Sequence, residues 1–219
     1  MVYIYMLPAA FLAPVIHEWV KAICSTLQGD PSPRNHGFLT LNPLRYFEPI
    51  GFLFILLFGF GWGNPTPTAA LHYRDRRRGT LVTHAVPILV NLLLGMGAAV
   101  GVAVLATQVY GPMHYTNLTH VFVNFPFMVP NFYFASILML SHFAVVNINL
   151  ALFNLIPVYP MAANKLMLVF SAPETIARVS HNEKPMQVIL LILLILGVVR
   201  WVLNPITVRI VAIAWGIVV

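Results

Sequence analysis

His17-Glu18-Trp19-Val20-Lys21 is the stretch of this chain whose residue types and spacing come nearest to a catalytic pattern. A histidine in the last position would complete His-Glu-x-x-His. The four-residue step brings two imidazoles onto one helix face to hold a zinc ion, with the glutamate beside them as general base. Here an ammonium replaces the second imidazole. Lysine donates hydrogen bonds and accepts none, so it cannot ligate while charged. Glu18 and Lys21 stand three residues apart, a spacing at which a helix brings opposite charges together as an ion pair. A catalytic zinc takes three protein ligands and leaves one position for a water, and His17 alone does not supply that set. No metal is therefore expected, and His17 and Glu18 are the retained but non-functional remainder of a catalytic pair.

Cys24 is the only cysteine, which excludes an internal disulfide and a cysteine-based metal site. His84 and His142 lie within apolar runs, so a rebuilt three-histidine zinc site with His17 is an alternative, against the ordinary case of an intramembrane histidine bonded to a neighbouring helix. His36, His72, His114, His120 and His181 fall in connections and are expected to be solvated.

The elements that position these residues follow from composition. Across 219 residues, 59% are hydrophobic and 8% charged, too little polar surface for a soluble globule of this size. The expected fold class is an all-α polytopic membrane protein with about five to six transmembrane helices. No Gly/Ser linker, low-complexity tract or internal repeat divides it, so residues 1–219 are expected to form one domain. A net charge of +6 points to nucleic acid in a soluble protein. In this chain the basic residues gather between apolar runs, so the expected partner is membrane lipid and no nucleic acid.

The first apolar run extends from Met1 to about Leu27 and lacks the basic start and small-residue cleavage site of a signal peptide, so it is expected to be retained. Pro49 to Gly63 is short, rich in Phe and Gly and bounded by prolines, which fits a re-entrant element. Leu81 to about Thr107, Phe132 to Ile156 and Met186 to Leu203 are each long enough to span. Ile206 to Val219 contains Arg209 and fits a tilted sixth helix or an interfacial one. The segment 29–80 carries Arg34, Arg45, Arg74 and Arg76-Arg77-Arg78, 108–131 has no Lys or Arg, and 157–185 has Lys165, Arg178 and Lys184. If 49–63 does not cross, the N-terminus lies outside and the arginine-rich segment inside. The arginine run then anchors topology, with headgroup or partner binding as the alternative.

An ionisable group at the bilayer centre costs at least about 2.5 kcal/mol unless paired or hydrated. Lys21 can snorkel to the interface from the end of its helix. A solute or ion pathway lined by Lys21, Glu18 and the asparagines is a further alternative. Gly37 to Leu44 and Glu48 to Gly51 alternate apolar residues with turn formers and predict a short membrane-associated strand or hairpin after the first helix. The glycines and prolines of Phe60 to Pro67 predict an extended segment hugging other backbone. Asn147, Asn149 and Asn154 need hydrogen-bond partners, and Pro157 and Pro160 free carbonyls, which suits a polar cavity. Asn117-Leu118-Thr119 matches the glycosylation sequon, and Trp19, Trp62, Trp201 and Trp215 read as packing or interface anchors.

The order of motifs resembles the site-2 intramembrane zinc metalloproteases, in particular short bacterial members without an inserted PDZ domain. That family carries His-Glu-x-x-His, a Gly-Asp pair, Leu-Thr-Leu-Asn-Pro-Leu, Asp-Pro-Ile-Gly, Phe-Gly-Trp-x-x-Pro-x-Pro, Ala-Gly-Pro-x-x-Asn and Asn-Leu-Ile-Pro-x-x-Pro-Leu-Asp-Gly. This chain has His17-Glu18, Gly29-Asp30, Leu39 to Leu44, Glu48 to Gly51, Phe60 to Pro67, Ala85-Val86-Pro87 with Asn91, and Asn154-Leu155-Ile156-Pro157. The resemblance covers roughly residues 10–170, with 186–219 as additional C-terminal membrane helices. It implies zinc endopeptidase chemistry, a bacterial cell membrane, and a substrate groove bordered by Asn154, Pro157 and Asn91.

The departures fall on the chemistry. The second histidine aligns with Lys21 and the aspartate ligand with Ala162. Val86 replaces the glycine of Ala-Gly-Pro, Tyr46 stands for a histidine, and Glu48 takes the aspartate position. Tyr159 replaces a proline and can fill part of the groove. The expectation is a pseudoprotease that binds a transmembrane client or partner protein without cleaving it, by main-chain hydrogen bonds to an extended segment.

Overall fold

The computed structural model describes residues 2–111 and 131–218. His114, His120, the sequon at Asn117 and most of the neutral connection lie outside them. Among the described residues the regular elements are all helical. Helix α1 is Val2–Leu27, α2 Pro49–Phe58, α3 Arg76–Tyr110 and α4 Asn131–Asn154. They are followed by α5 Ala162–Leu168, α6 Pro173–His181, α7 Glu183–Ile195 and α8 Val198–Trp215. Single helical turns lie at Ser32–Asn35, Pro43–Tyr46 and Ala70–His72.

Four stretches among the described residues are long and apolar enough to cross a membrane: Ile4–Leu27, Arg76–Val109, Phe132–Asn154 and Val198–Trp215. The chain is an all-α integral membrane protein. Two sequence expectations change. The run 186–203 does not form one span, because Gly197, at φ 75°, breaks it between α7 and α8. The last span instead begins at Val198 and absorbs most of the run that starts at Ile206. Nor does 37–44 form a strand. Its polar backbone is used locally: the N–H groups of Gly37 and Phe38 bond the carbonyls of Arg34 and Pro33, Asn42 caps the next turn by accepting from Leu44 N, and the buried Tyr46 hydroxyl reaches the carbonyls of Phe38 and Thr40. Burial pushes the Tyr46 phenol up to about 12.

Residues 49–63 form a short helix and a returning segment. Helix α2 has 10 residues, about 15 Å of rise, half a hydrocarbon core. Gly59, at φ 79°, ends it, and the chain doubles back so that Gly61 and Trp62 lie against Gly51. A Cβ at Gly51 would overlap the Trp62 carbonyl, and one at Gly61 would overlap the Gly51 carbonyl. This is the close backbone approach that the glycines of 60–67 predict.

Helices α3 and α4 form the centre of the bundle and α1 packs on both. Small residues permit this: a Cβ at Gly95 would sit 2.6 Å from Ile148 Cγ1 and 2.9 Å from the Ala144 carbonyl, and Ala9, Ala10 and Ala13 of α1 pack with Val146 and Leu150 of α4. With no water to expel from lipid-facing surfaces, such packing and interhelical hydrogen bonds hold helices together. The end of α1 is tied to the start of α3 by Arg74 N donating to Gln28 O at 3.0 Å and by buried Asp30. Its carboxylate accepts from Ser25 Oγ at 2.8 Å, Ser32 N at 2.9 Å and Ala69 N at 2.7 Å. Burial opposes its ionisation, but these hydrogen bonds together hold the carboxyl below its usual range.

Candidate functional site

His17 and Glu18, on one turn of α1, and Lys21, on the next, line a cavity of about 280 Å³. Its other walls come from Trp62, Gly63 and Pro65 of the extended segment, Leu150 and Asn154 of α4, and Tyr159 to Ala162. Gln187 and Leu191 of α7 close it. The sequence therefore brings both degenerate positions, Lys21 and Ala162, to the same cavity as the retained His17 and Glu18.

Two of its charges pair with each other, and a third, Glu48, lines the cavity while accepting from Gly51 N. Lys21 Nζ lies 3.2 Å from Glu18 Oε2 and 3.5 Å from Oε1. Thr66 N donates to Glu18 Oε2 at 2.7 Å, and Thr66 Oγ1 donates to the Glu18 carbonyl at 2.9 Å. Glu18 Oε2 is thus held by an ammonium and an amide, while Oε1 has only the longer contact to Lys21.

His17 is held from behind. Its Nδ1 lies 2.9 Å from Asn91 Oδ1. Asn91 Nδ2 donates to Asn147 Oδ1 at 2.8 Å, and Asn147 Nδ2 donates to the Phe143 carbonyl at 2.8 Å. This chain fixes Asn91 Oδ1 as acceptor, so the His17 proton sits on Nδ1 and the Nε2 lone pair is available. Asn91 is buried and acts as the positioning group for His17; it does not line the cavity, and neither does the exposed Pro157. Asn154 does line it: Nδ2 donates to the Leu150 carbonyl at 2.9 Å, and Oδ1 faces Ala162 N at 3.4 Å, drawing the 155–161 loop onto the end of α4. Tyr159 lines the cavity as well, with Lys165 Nζ 5.8 Å from its ring centre.

Among the described residues no three His, Cys, Asp or Glu side chains converge on one point. The alternative of a site rebuilt from His17, His84 and His142 is thereby corrected. His84 lies within electrostatic range of His17, Lys21 and Lys165, whereas His142 sits apart on α4, and each has a buried ring nitrogen without a hydrogen-bond partner. The donor set does not fit a catalytic zinc: one imidazole nitrogen, the Glu18 carboxylate paired with Lys21 and bonded by Thr66, the Glu48 carboxylate capping Gly51 N, an ammonium and an alanine, with no three ligand-type side chains together among the described residues. Sequence reasoning missed Thr66, whose signal was a threonine inside the Pro-Thr-Pro turn; for Asn147 it gave the need for a partner but not that the partner is Asn91.

The chain is 27% identical over 202 residues to the "Putative zinc metalloprotease YwhC" of Bacillus subtilis (strain 168), a match covering 92% of this chain and 84% of the relative. It is 30% identical over 107 residues to the "Putative zinc metalloprotease Rip2" of Mycolicibacterium smegmatis, covering 45% of this chain and 41% of that protein. No family model matches the sequence, and no solved structure matches it.

Proposed function

We propose that this is a site-2-protease-like protein of a bacterial cell membrane whose zinc centre has been replaced by an ion pair, and which binds a transmembrane client without cutting it. The observation that carries this is the Glu18–Lys21 pair at 3.2 Å in the cavity that Ala162 also lines. Where a second imidazole and a carboxylate ligand would complete the metal set, the chain places an ammonium and a methyl group. A dication beside a fixed ammonium in a low-dielectric site is repelled, and without an activated water Glu18 has no proton to take.

What remains suits binding. The cavity is walled on one side by extended backbone from Trp62 to Pro65 and on another by Asn154 and Tyr159. An unwound stretch of a client helix offers free N–H and C=O groups, which such a wall can satisfy and lipid cannot. The relatives' names support the scaffold, and the side chains support loss of the chemistry.

A photo-crosslinking residue in place of Tyr159, in the full chain expressed in a bacterial membrane, tests this. Capture of full-length transmembrane proteins, unchanged by the charge-removing double variant Glu18→Gln/Lys21→Met, is expected. Captured fragments trimmed within their membrane segment, disappearing in that double variant, would overturn it.

A further inference from the structure

Helix α8 buries one face and exposes an unusual other. Val199, Leu203, Thr207, Val211 and Ala214 are buried, a spacing of three to four that defines a single packed stripe. Arg209 is two residues from Thr207, on the opposite side of the helix, and is exposed. Among the described residues its side chain has no hydrogen-bond or ion-pair partner.

Its depth can be read from its neighbours. Thr207 Oγ1 donates to Asn149 Oδ1 at 2.7 Å, Val211 packs in one cluster with Ala144 and Ile148, and Trp215 packs with Ile137. Helices α8 and α4 are therefore antiparallel, and Arg209 is level with about Asn147. That is seven residues, about 10 Å of rise, from the nearer end of α4 at Asn154. Arginine within a span ordinarily faces the bundle interior or a water-filled cavity; this one faces outward.

The first half of α8 carries further polar groups, not all on the side of Arg209. Pro205 lies inside α8 and has no N–H, so the α-helical bond to the Trp201 carbonyl cannot form. Asn204 is exposed. Gly197, Arg200, Trp201, Val202, Asn204 and Pro205 line an open hollow of about 690 Å³, created where Gly197 breaks the chain.

We propose that the outward face of α8 is an intramembrane docking surface for a transmembrane helix bearing a carboxylate opposite Arg209. Charge decides the partner. The chain has 6 acidic residues. Glu18 is paired with Lys21, Asp30, Glu48 and Asp75 accept main-chain N–H bonds in connections, and Glu174 and Glu183 lie in α6 and the first turn of α7. A second copy thus has no free carboxylate within a span, so the complement must come from another protein. None of the residues lining the His17 cavity belongs to α8, so this surface stands independently of that site's proposed role.

The test uses the full chain in liposomes, with a donor dye at its C-terminus and acceptor-labelled Leu/Ala-rich transmembrane peptides carrying Glu, Gln or Leu at mid-span. The Glu peptide is expected to associate about tenfold more tightly than the Leu peptide. That preference disappears in Arg209→Leu and persists in Arg209→Lys, both on the unpacked face. Equal association of all three peptides would overturn the proposal and leave Arg209 reaching to the interface. A Gln peptide as tight as Glu would overturn the carboxylate. Energy transfer between copies of the chain, abolished by Arg209→Leu, would overturn the heterologous partner.

Discussion

Lys21→Met is expected to destabilise the protein more than any loss of contact area at that position explains. The two side chains of the pair are 13% and 9% exposed and 3.2 Å apart. At an effective dielectric near 20 their attraction is about 5 kcal/mol before desolvation. Removing one partner of a buried pair leaves the other charge uncompensated, at about 3–5 kcal/mol. The Thr66 amide still bonds Glu18 and the cavity admits water, so about 3 kcal/mol is the working figure. At about 2–4 °C per kcal/mol for a chain of this length, the unfolding midpoint falls by roughly 6–12 °C. Glu18→Gln/Lys21→Met removes both charges, and the amide oxygen can still accept from Thr66, so it should lie within about 1 kcal/mol of the native protein. Thermal unfolding of the four proteins of this cycle in one detergent, followed by tryptophan fluorescence, measures the coupling. A Lys21→Met midpoint unchanged from native, or additive single and double variants, would show that the pair is not what holds this site.

Other consequences follow from single residues. Asn91→Leu strands His17 Nδ1 and Asn147 Oδ1 in a buried setting, so a loss of about 2–4 kcal/mol is expected in the same unfolding assay, whereas Pro157→Ala, at an exposed loop position, should change it by less than about 0.5 kcal/mol. The Asp30 carboxyl titrates below its usual value of 3.8, so its stabilisation is complete above that value and is lost as pH falls beneath it. Asp30→Asn should remove this part of the acid-side loss and lower stability at neutral pH, as read from unfolding midpoints across pH 3–7. Gly61→Ala forces a methyl into the Gly51 carbonyl and should destabilise by about 1–3 kcal/mol or more, seen as faster proteolysis in the 59–66 segment.

Much of the fold was legible because lipid imposes simple rules. Apolar length gave three of the four spans, and the proline and glycine punctuation of 49–67 gave the half-helix and its returning segment. What misled was alternation without a partner. Leu39 and Leu41 alternate as a strand would, yet both are exposed, and Tyr46, Asn42 and the preceding turn take the backbone groups that a sheet would need. The C-terminal run misled for the opposite reason: one glycine in an otherwise continuous apolar stretch carried the break, and its φ of 75° is not visible in composition. At the site, residue types were legible and roles less so. Lys21 and Glu18 meet as their spacing predicts, but Asn91 turns its amide to His17, a choice made by packing between α1 and α3. Thr66 reaches Glu18 across 48 positions of sequence, and a one-dimensional reading has no spacing rule for that.

The most direct measurement is zinc per chain in detergent-purified, dialysed protein, made on the native chain, His17→Ala, and Lys21→His/Ala162→Asp. Native and His17→Ala should both hold almost none, while Lys21→His/Ala162→Asp rebuilds two missing ligands around the same cavity and should gain zinc, losing it again when His17→Ala is added. One zinc per native chain, lost in His17→Ala, would contradict the replacement of the metal centre by the Glu18–Lys21 pair.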